Sequence, residues 1–136
     1  MKEDLKNKVG VLLLTVYCYP TCGTCRKAKK WLNDRKIPYQ EIQIADNPPS
    51  KEEIKNFQQK SGLPLKKFFN TSGSHYRDQN IKSKMKDEPE EKWLDWLSND
   101  GMLLKRPIIT DQEKVTVGFK EDTFEEIWGI SAGTKK

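Results

Sequence analysis

Long apolar runs are missing from this sequence. The longest, "VGVLLLTVYC", covers about ten residues, whereas a membrane-spanning helix needs roughly 18 or more. No small-residue cleavage pattern follows the run, as it would in a signal peptide. A buried strand at Val11–Tyr17 explains the same letters, because short apolar runs are typical of strands. We therefore expect a protein of the reducing cytoplasm, with residues 1–10 as an N-terminal extension.

Regions of a single charge sign are also missing. The chain has 25 Lys+Arg against 20 Asp+Glu, a formal net charge of +5. A basic stretch interleaved with aromatic residues would indicate nucleic-acid binding, but acidic pairs such as Glu52–Glu53 and Glu90–Glu91 interrupt the lysines. We expect a solvated surface of mixed charge, without direct contact to nucleic acid or membrane. A length of 136 residues predicts one domain, residues 1–136.

Histidine is nearly absent and cysteine is confined to one segment, which limits metal chemistry. His75 is the single histidine, and Cys18, Cys22 and Cys25 are the three cysteines. Their spacing matches the cluster-binding loop of radical S-adenosylmethionine enzymes, but such a cluster needs convergent thiolates and a large cofactor cavity. A structural zinc site needs four ligands, and only His75 remains as a fourth. We predict no metal ion and no bound cofactor, and we interpret Cys18 as a strand residue that lies near the others by accident.

What the chain does contain is an alternation of strands and helices. The cysteine segment runs into a helical pattern with Ala28, Trp31 and Leu32 on one apolar face. Pro38 is expected to end this helix, because proline cannot donate the helical hydrogen bond. The alternating segment "YQEIQI" then predicts a second strand. A strand, a helix and a strand within about forty residues indicate a βαβ unit with parallel strands.

The second half of the chain predicts helices followed by a hairpin. Ser50 and Glu53 form a capping box at the start of a helix that Gly62 ends. Residues 63–100 show no strand pattern and predict a helical insertion, whose last segment begins near Pro89. "RPIITDQEKVTVGF" then predicts a β-hairpin, and "KEDTFEEIW" predicts a closing helix.

This order of elements is that of a thioredoxin-like fold. A strand, a helix, a strand and a helix precede the insertion, and a hairpin and a helix follow it. We therefore predict an α/β protein with a mixed four-stranded sheet and a helical insertion before the C-terminal β-hairpin. Residues 129–136 are expected to form a frayed tail.

The segment Cys22-Gly23-Thr24-Cys25 falls where the first strand ends and the first helix begins. Unpaired backbone N–H groups and the positive end of the helix dipole meet at this point. Both stabilise a thiolate, so we predict a lowered pKa for Cys22, and the same amides can bind an oxyanion. Arg26 adds positive charge, and Cys25 is placed to attack a sulfur-linked intermediate on Cys22. The alternative is a pair of small buried thiols with a structural role.

Pro107 precedes the first strand of the predicted hairpin. Thioredoxin-like folds commonly have a cis proline there, facing the thiols, although a trans proline at a strand start is the ordinary alternative. Arg106 is then expected to project near Cys22, where a guanidinium can hold an oxyanion with two hydrogen bonds.

Five segments carry a resemblance to a known family. They are "YPTCGTCRKAKKWL", "NPPSKEEI", "SGLPLKKFFNTSG", "SNDGMLLKRPI" and "VGFKE". In this order they resemble the arsenate reductase (ArsC)/Spx family, in particular its ArsC-like branch, from about Thr15 to Trp128. The resemblance implies a thioredoxin-like fold with a helical insertion and a nucleophilic cysteine at Cys22. Glutathione-dependent arsenate reductases of the family have C-G-T-S-R where this chain has "CGTCR", so Cys25 departs from their pattern.

The resemblance also implies a chemistry. It is that of a thiol-dependent oxidoreductase that reduces arsenate or a disulfide at Cys22, with Cys25 as the resolving thiol. An external reductant, either glutathione with glutaredoxin or thioredoxin, would regenerate the thiols. The residues expected to stabilise the oxyanion or thiolate are Gly23, Thr24, Arg26, Arg106 and Lys66, the last standing with Lys67 where the reductases have another arginine.

The Spx branch of the family supplies the alternative. Its C-x-x-C is a disulfide switch, which Cys22 and Cys25 match. Spx-like proteins bind the C-terminal domain of the RNA polymerase α subunit and regulate transcription. The resemblance to that branch therefore implies a redox-sensing regulator with RNA polymerase as its partner.

Overall fold

Four short strands form one mixed sheet within the residues that the computed structural model describes, which are 13–19, 22–111 and 113–129. The strands are β1 (Leu14–Cys18), β2 (Tyr39–Gln43), β3 (Ile108–Thr110) and β4 (Val115–Val117). Their order across the sheet is β2-β1-β3-β4. β1 and β2 are parallel, whereas β3 is antiparallel to both β1 and β4. This arrangement confirms the predicted mixed sheet of a thioredoxin-like fold.

Helices connect these strands and follow the last one. They are α1 (Gly23–Asp34), α2 (Lys51–Ser61), α3 (Ser74–Asp78), α4 (Ile81–Asp87), α5 (Glu90–Asn99) and α6 (Glu121–Phe124). α6 continues in a π-helical turn at Glu125–Gly129, and 3₁₀ turns lie at Leu65–Phe68 and Gly101–Leu103. The predicted helical stretch between α2 and the hairpin is therefore present as a series of short segments.

The start and end of α2 follow the signals in the sequence. The Ser50 hydroxyl accepts a hydrogen bond from the Glu53 amide at 3.2 Å, and the Glu53 carboxylate accepts one from the Ser50 amide at 2.9 Å. Gly62 follows the helix with a left-handed backbone, φ 73°, which glycine adopts without a steric penalty. The predicted capping box and C-cap are confirmed.

Two boundaries differ from the prediction. β1 extends one residue beyond the expected end, because Cys18 pairs with Gln43 of the parallel neighbour; the expected start at Val11 lies outside the described residues. α1 ends well before Pro38, because Lys36 has a left-handed backbone with φ 59° that turns the chain toward β2. Proline is therefore not what ends this helix.

The chain ends are described only in part. Gly129 belongs to the π-helical turn and not to the predicted tail. The rest of that tail and the predicted extension at residues 1–10 lie outside the described residues. Among the helices of the described part, none combines the length and the apolar character needed to span a bilayer.

The two faces of the sheet pack against different helices. Side chains alternate along β1, so Leu14, Val16 and Cys18 join one buried cluster with α1 and the C-terminal helix. Tyr17 points the other way and joins a cluster with α2 and the helical insertion. We call the first the thiol face, because it contains Cys18 and Cys25, and the second the insertion face.

The topology brings the start of β3 beside the end of β1. Tyr17 pairs with Ile108 across the antiparallel ladder, so the residues just before Ile108 lie next to the point where the chain leaves β1 for α1. The Arg106–Pro107 peptide bond there is cis, as the sequence predicts. The cysteine segment and the Arg106–Pro107 segment thus meet at one end of the sheet.

Candidate active site

Cys22 and Cys25 occupy the start of α1 at different depths. Cys22 is the N-cap residue: its amide donates to the Tyr19 carbonyl at 3.1 Å, and its carbonyl accepts from the Arg26 amide at 3.1 Å. Cys22 is partly exposed, whereas Cys25 is 0% exposed. The two sulfurs are not bonded to each other. A substrate arriving from solvent therefore reaches Cys22 first, with Cys25 behind it.

A large cavity opens beside Cys22. Its volume is about 940 Å³, which is within the range of small-molecule sites. Its lining among the described residues includes no aspartate or glutamate. Its cationic lining residues are Lys66, Lys67, Lys105, Arg106 and Lys120. The charge of this wall favours an anionic ligand.

The start of α1 adds to this positive environment. Thr24 lines the cavity, and an added Cβ at Gly23 would meet no atom within 4 Å, so the helix start is open. A twelve-residue helix directs the positive end of its dipole toward Cys22. The arrangement suits a negative charge on the Cys22 sulfur or on a group bound to it.

Arg106 is held in place by its own neighbours. Its Nη1 donates to the carbonyl oxygens of Met102 at 3.2 Å and Leu104 at 3.1 Å. The guanidinium carbon lies 5.6 Å from the centre of the Tyr19 ring, a cation–π distance. Its Nε is buried without a hydrogen-bond partner among the described residues. The charge of Arg106 is therefore fixed beside the thiols before any ligand binds.

The surroundings of Cys25 lower the pKa of its thiol. The neighbouring Cys18 thiol lowers the pKa of Cys25, against the opposing effect of burial. The Tyr19 amide and the Cys22 thiol also hydrogen-bond to the Cys25 sulfur, and Arg106 contributes positive charge. These surroundings therefore favour the thiolate form of Cys25.

The lowered pKa that the sequence predicts for Cys22 stays a prediction. The prediction considered the helix terminus alone, whereas the Cys18 thiol of β1 and the charge of Arg106 before β3 also act on Cys25. The role of Cys22 as the nucleophile stays a prediction, and its position in the cavity wall is consistent with that role.

Cys18 is a strand residue of β1, as predicted, and it is buried in the same cluster as Cys25. It is 0% exposed, and its thiol donates to Oε2 of Glu41 at 2.9 Å. Hydrogen bonding to Cys25 and burial both raise the pKa of Cys18, so it stays protonated. The same Glu41 oxygen accepts hydrogen bonds from Lys29 Nζ at 3.1 Å and Gln43 Nε2 at 2.7 Å.

The signal for Cys18 and Glu41 was present in the sequence but was not used. Alternation along β1 places Cys18 on the same face as Val16, toward α1. In the parallel ladder Glu41 is the partner of Val16, so its side chain belongs to the same face. A carboxylate on the helix-covered side of a strand indicates a polar partner there.

The remaining predicted residues fall into two groups. Lys66 lies on the cavity wall as an exposed side chain, and Pro107 is buried and cis. Arg26 is exposed on α1 and lies outside the described lining of the cavity, so its proposed role stays a prediction. Sequence reasoning missed two cationic residues of the wall, Lys105 and Lys120.

His75 lies in a separate hydrogen-bonded group. Its Nδ1 is 2.7 Å from Oδ2 of Asp100, which also accepts from Gln79 Nε2 at 2.7 Å. Within the described ranges, no group of three or more His, Cys, Asp or Glu side chains is arranged to hold a metal ion.

Comparison with known proteins identifies the family. The model of the ArsC family matches residues 17–127, which is most of the chain. The chain belongs to the ArsC family. The match runs from β1 to the C-terminal π-helical turn and so includes the thiols and Arg106.

The relatives of this chain include both a transcriptional regulator and a possible arsenate reductase. The chain is 62% identical over 115 residues to the uncharacterized protein YusI of Bacillus subtilis, covering 85% of this chain and 98% of YusI. It is 31% identical over 110 residues to the global transcriptional regulator Spx of Listeria innocua, covering 81% of this chain and 82% of Spx. The crystal structure of a possible arsenate reductase from Streptococcus mutans matches at 40% identity and a TM-score of 0.75, covering 84% and 98% of the two chains.

Proposed function

We propose that this ArsC-family protein is a thiol oxidoreductase that reduces arsenate or a disulfide through Cys22 and Cys25. The observation that carries the proposal is the pairing of an accessible thiol in a cationic cavity with a buried, acidic thiol directly behind it. An accessible sulfur receives the substrate, and a buried thiolate resolves the adduct without competing for it.

The first step forms a bond between the Cys22 sulfur and the substrate. The Cys25 sulfur lies close enough to the Cys22 thiol to accept its proton as Cys22 attacks. With a disulfide, Cys22 forms a mixed disulfide and the displaced thiolate takes up the proton. With arsenate, Cys22 forms a sulfur–arsenic bond and the displaced oxygen leaves as water. Cys25 is then again a thiolate.

The second step forms the Cys22–Cys25 disulfide. The Cys25 thiolate attacks the Cys22 sulfur, and the bond from that sulfur to the substrate breaks with its electron pair on the substrate. A thiol or arsenite leaves, reduced by two electrons, and the two cysteines are oxidised. An external thiol, from glutathione with glutaredoxin or from thioredoxin, returns them to the reduced state in a reducing cytoplasm.

The cavity wall has a role in both steps. The dipole of α1 with Gly23 and Thr24, the fixed guanidinium of Arg106 and the ammonium of Lys66 stabilise the negative charge of arsenate or of the departing thiolate. Arg26 contributes a more distant positive charge.

The test uses arsenate and a small disulfide, each with both reductants. Cys22→Ser is expected to abolish turnover, because no other cysteine described in the structure is accessible from the cavity. Cys25→Ser is expected to leave a covalent adduct at Cys22, detected by intact mass before reductant is added, and to change which reductant supports turnover. Turnover that persists in Cys22→Ser would overturn the proposal.

A second candidate is a redox-sensing regulator of the Spx type, which the 31% identity to Spx and the matching C-x-x-C favour. Its proposed partner is the C-terminal domain of the RNA polymerase α subunit. A pull-down with that domain, with reduced and oxidised protein, distinguishes the two. Redox-dependent capture without turnover of either substrate would favour the regulator.

A further inference from the structure

Cys18, Glu41 and Lys29 form a chain of contacts that leads from the buried Cys25 to the edge of the sheet. Cys18 and Cys25 are both 0% exposed and share one buried cluster. The Glu41 and Lys29 side chains are 29% and 21% exposed, and their charged atoms are 3.1 Å apart. The reaction described above uses Cys22 and Cys25 but assigns nothing to these three residues.

The Cys18 thiol has one proton and two acceptors. A thiol donates a single hydrogen bond, and Cys18 directs it to Glu41 Oε2 at 2.9 Å. The other acceptor beside it is the Cys25 sulfur, which is buried in the same cluster. The proton can therefore serve the carboxylate or the thiolate, but not both at once.

Glu41 can release this hydrogen bond at low cost. Its Oε2 keeps donors in Lys29 Nζ and Gln43 Nε2 when Cys18 turns away. Cys25 has fewer hydrogen-bond donors, because apart from Cys18 only the Tyr19 amide and the Cys22 thiol are available to it. The Cys22 thiol loses its proton when the adduct forms, so it can then no longer donate. A hydrogen bond from Cys18 therefore stabilises Cys25 most when Cys25 is a thiolate that is about to attack the adduct.

We propose that Cys18 is a positioning residue that switches its single hydrogen bond between Glu41 and Cys25, and thereby controls whether the resolving thiol is ionised. When Cys25 is protonated or disulfide-bonded, Cys18 donates to Glu41. When Cys25 is a thiolate, Cys18 donates to Cys25, and Lys29 and Gln43 hold the carboxylate. The switch deepens the proposed function, on which its catalytic consequence rests.

Several ionisable groups of the described residues face this chain of contacts. Cys25 faces Cys18 on β1, Cys22 at the helix start and Arg106 before β3. Glu41 faces Cys18 and Lys29. Lys29 in turn lies near Tyr39. Replacing a member of the chain should therefore shift the ionisation of Cys25 in a direction set by that member's charge or donor.

The test titrates Cys25 in a Cys22→Ser background, by thiolate absorbance and by the pH dependence of alkylation. It needs neither substrate nor turnover, so its failure is distinguishable from failure of the proposed function. Cys18→Ala is expected to raise the midpoint by about one unit or more, because it removes a hydrogen bond to a charged sulfur. Cys18→Ser keeps an O–H donor and is expected to restore the midpoint to near that of the Cys22→Ser parent.

Glu41→Gln provides a second, independent measurement at a site near the surface. An amide is a poorer acceptor than a carboxylate and has no negative charge, so the Cys18 proton is freed for Cys25. The midpoint is expected to fall, whereas the matched control Glu52→Gln, an exposed residue of α2, leaves it unchanged. The proposal is overturned if Cys18→Ala leaves the midpoint in place, if Cys18→Ser shifts it as far as Cys18→Ala, or if Glu41→Gln fails to lower it.

Discussion

The two faces of the sheet bury side chains of different kinds. On the insertion face the buried cluster is aliphatic and aromatic, with Tyr17 as its one ionisable member among the described residues. Burial, followed by the charge of Glu53, raises the pKa of Tyr17 to about 12, so it stays neutral. On the thiol face, Cys18 and Cys25 are buried together, and the surroundings lower the pKa of Cys25. One face avoids buried charge, and the other favours a buried thiolate.

This difference between the two faces suggests that the insertion face serves stability and the thiol face serves the reaction. A buried charge is unfavourable unless hydrogen bonds and opposite charges surround it, as they do at Cys25. Side chains that violate the usual composition of a core are expected at functional sites, with stability supplied elsewhere. The insertion face supplies it here, through side chains such as Phe68 and Leu97 that are 0% exposed.

The largest effect expected from this division is on stability. Phe68 belongs to the insertion face, and Phe68→Ala is expected to lower the free energy of unfolding by about 3–5 kcal/mol, because it leaves a cavity. Urea unfolding measures the loss. The titration midpoint of Cys25 should not change while the protein is folded.

A milder variant keeps this comparison usable if Phe68→Ala does not fold. Ile54→Val on the same face should cost about 0.5–1.5 kcal/mol, again without an effect on Cys25. A shift of the Cys25 midpoint in either variant would contradict the separation of the two faces.

A smaller effect is expected at Asp100, beside the insertion face, where polar contacts serve stability. Burial opposes ionisation of Asp100, but hydrogen bonds from His75, Gln79 and the Met102 amide outweigh it and hold its pKa below the usual value. A carboxyl with a lowered pKa stabilises the fold above its unfolded pKa of about 3.9, and this contribution is lost as the pH falls through the folded value.

Asp100→Asn should therefore reduce stability at pH 7 by about 1–2 kcal/mol and flatten its acid dependence. Thermal unfolding between neutral and acidic pH measures both, and Asp87→Asn, at an exposed position of α4, is the matched control. Equal acid dependence in the Asp100 variant and the unchanged protein would exclude this role.

Much of the fold follows from local signals in the sequence. The capping box of Ser50 and Glu53 and the glycine at Gly62 define α2, and alternation defines the hairpin. The end of α1 was mispredicted because a left-handed backbone at Lys36 has no strong local signal in a non-glycine residue.

The candidate site was predictable in part. The N-cap position of Cys22, the cis bond before Pro107 and the presence of Arg106 in the cavity follow from the motifs. The lowered pKa of Cys25 does not follow from the motifs, because it depends on Cys18, which belongs to another element. Only the packed structure shows that the Cys18 thiol lies beside both Cys25 and Glu41.

The central claim is that Cys22 receives the substrate and Cys25 resolves it. The most direct measurement exposes reduced protein to one equivalent of substrate without reductant, blocks remaining thiols with an alkylating reagent, and maps the peptides by mass spectrometry. The account predicts a Cys22–Cys25 disulfide with Cys18 unlinked, formed at the same rate as product. Product without this disulfide, or a disulfide that contains Cys18 in its place, would contradict it.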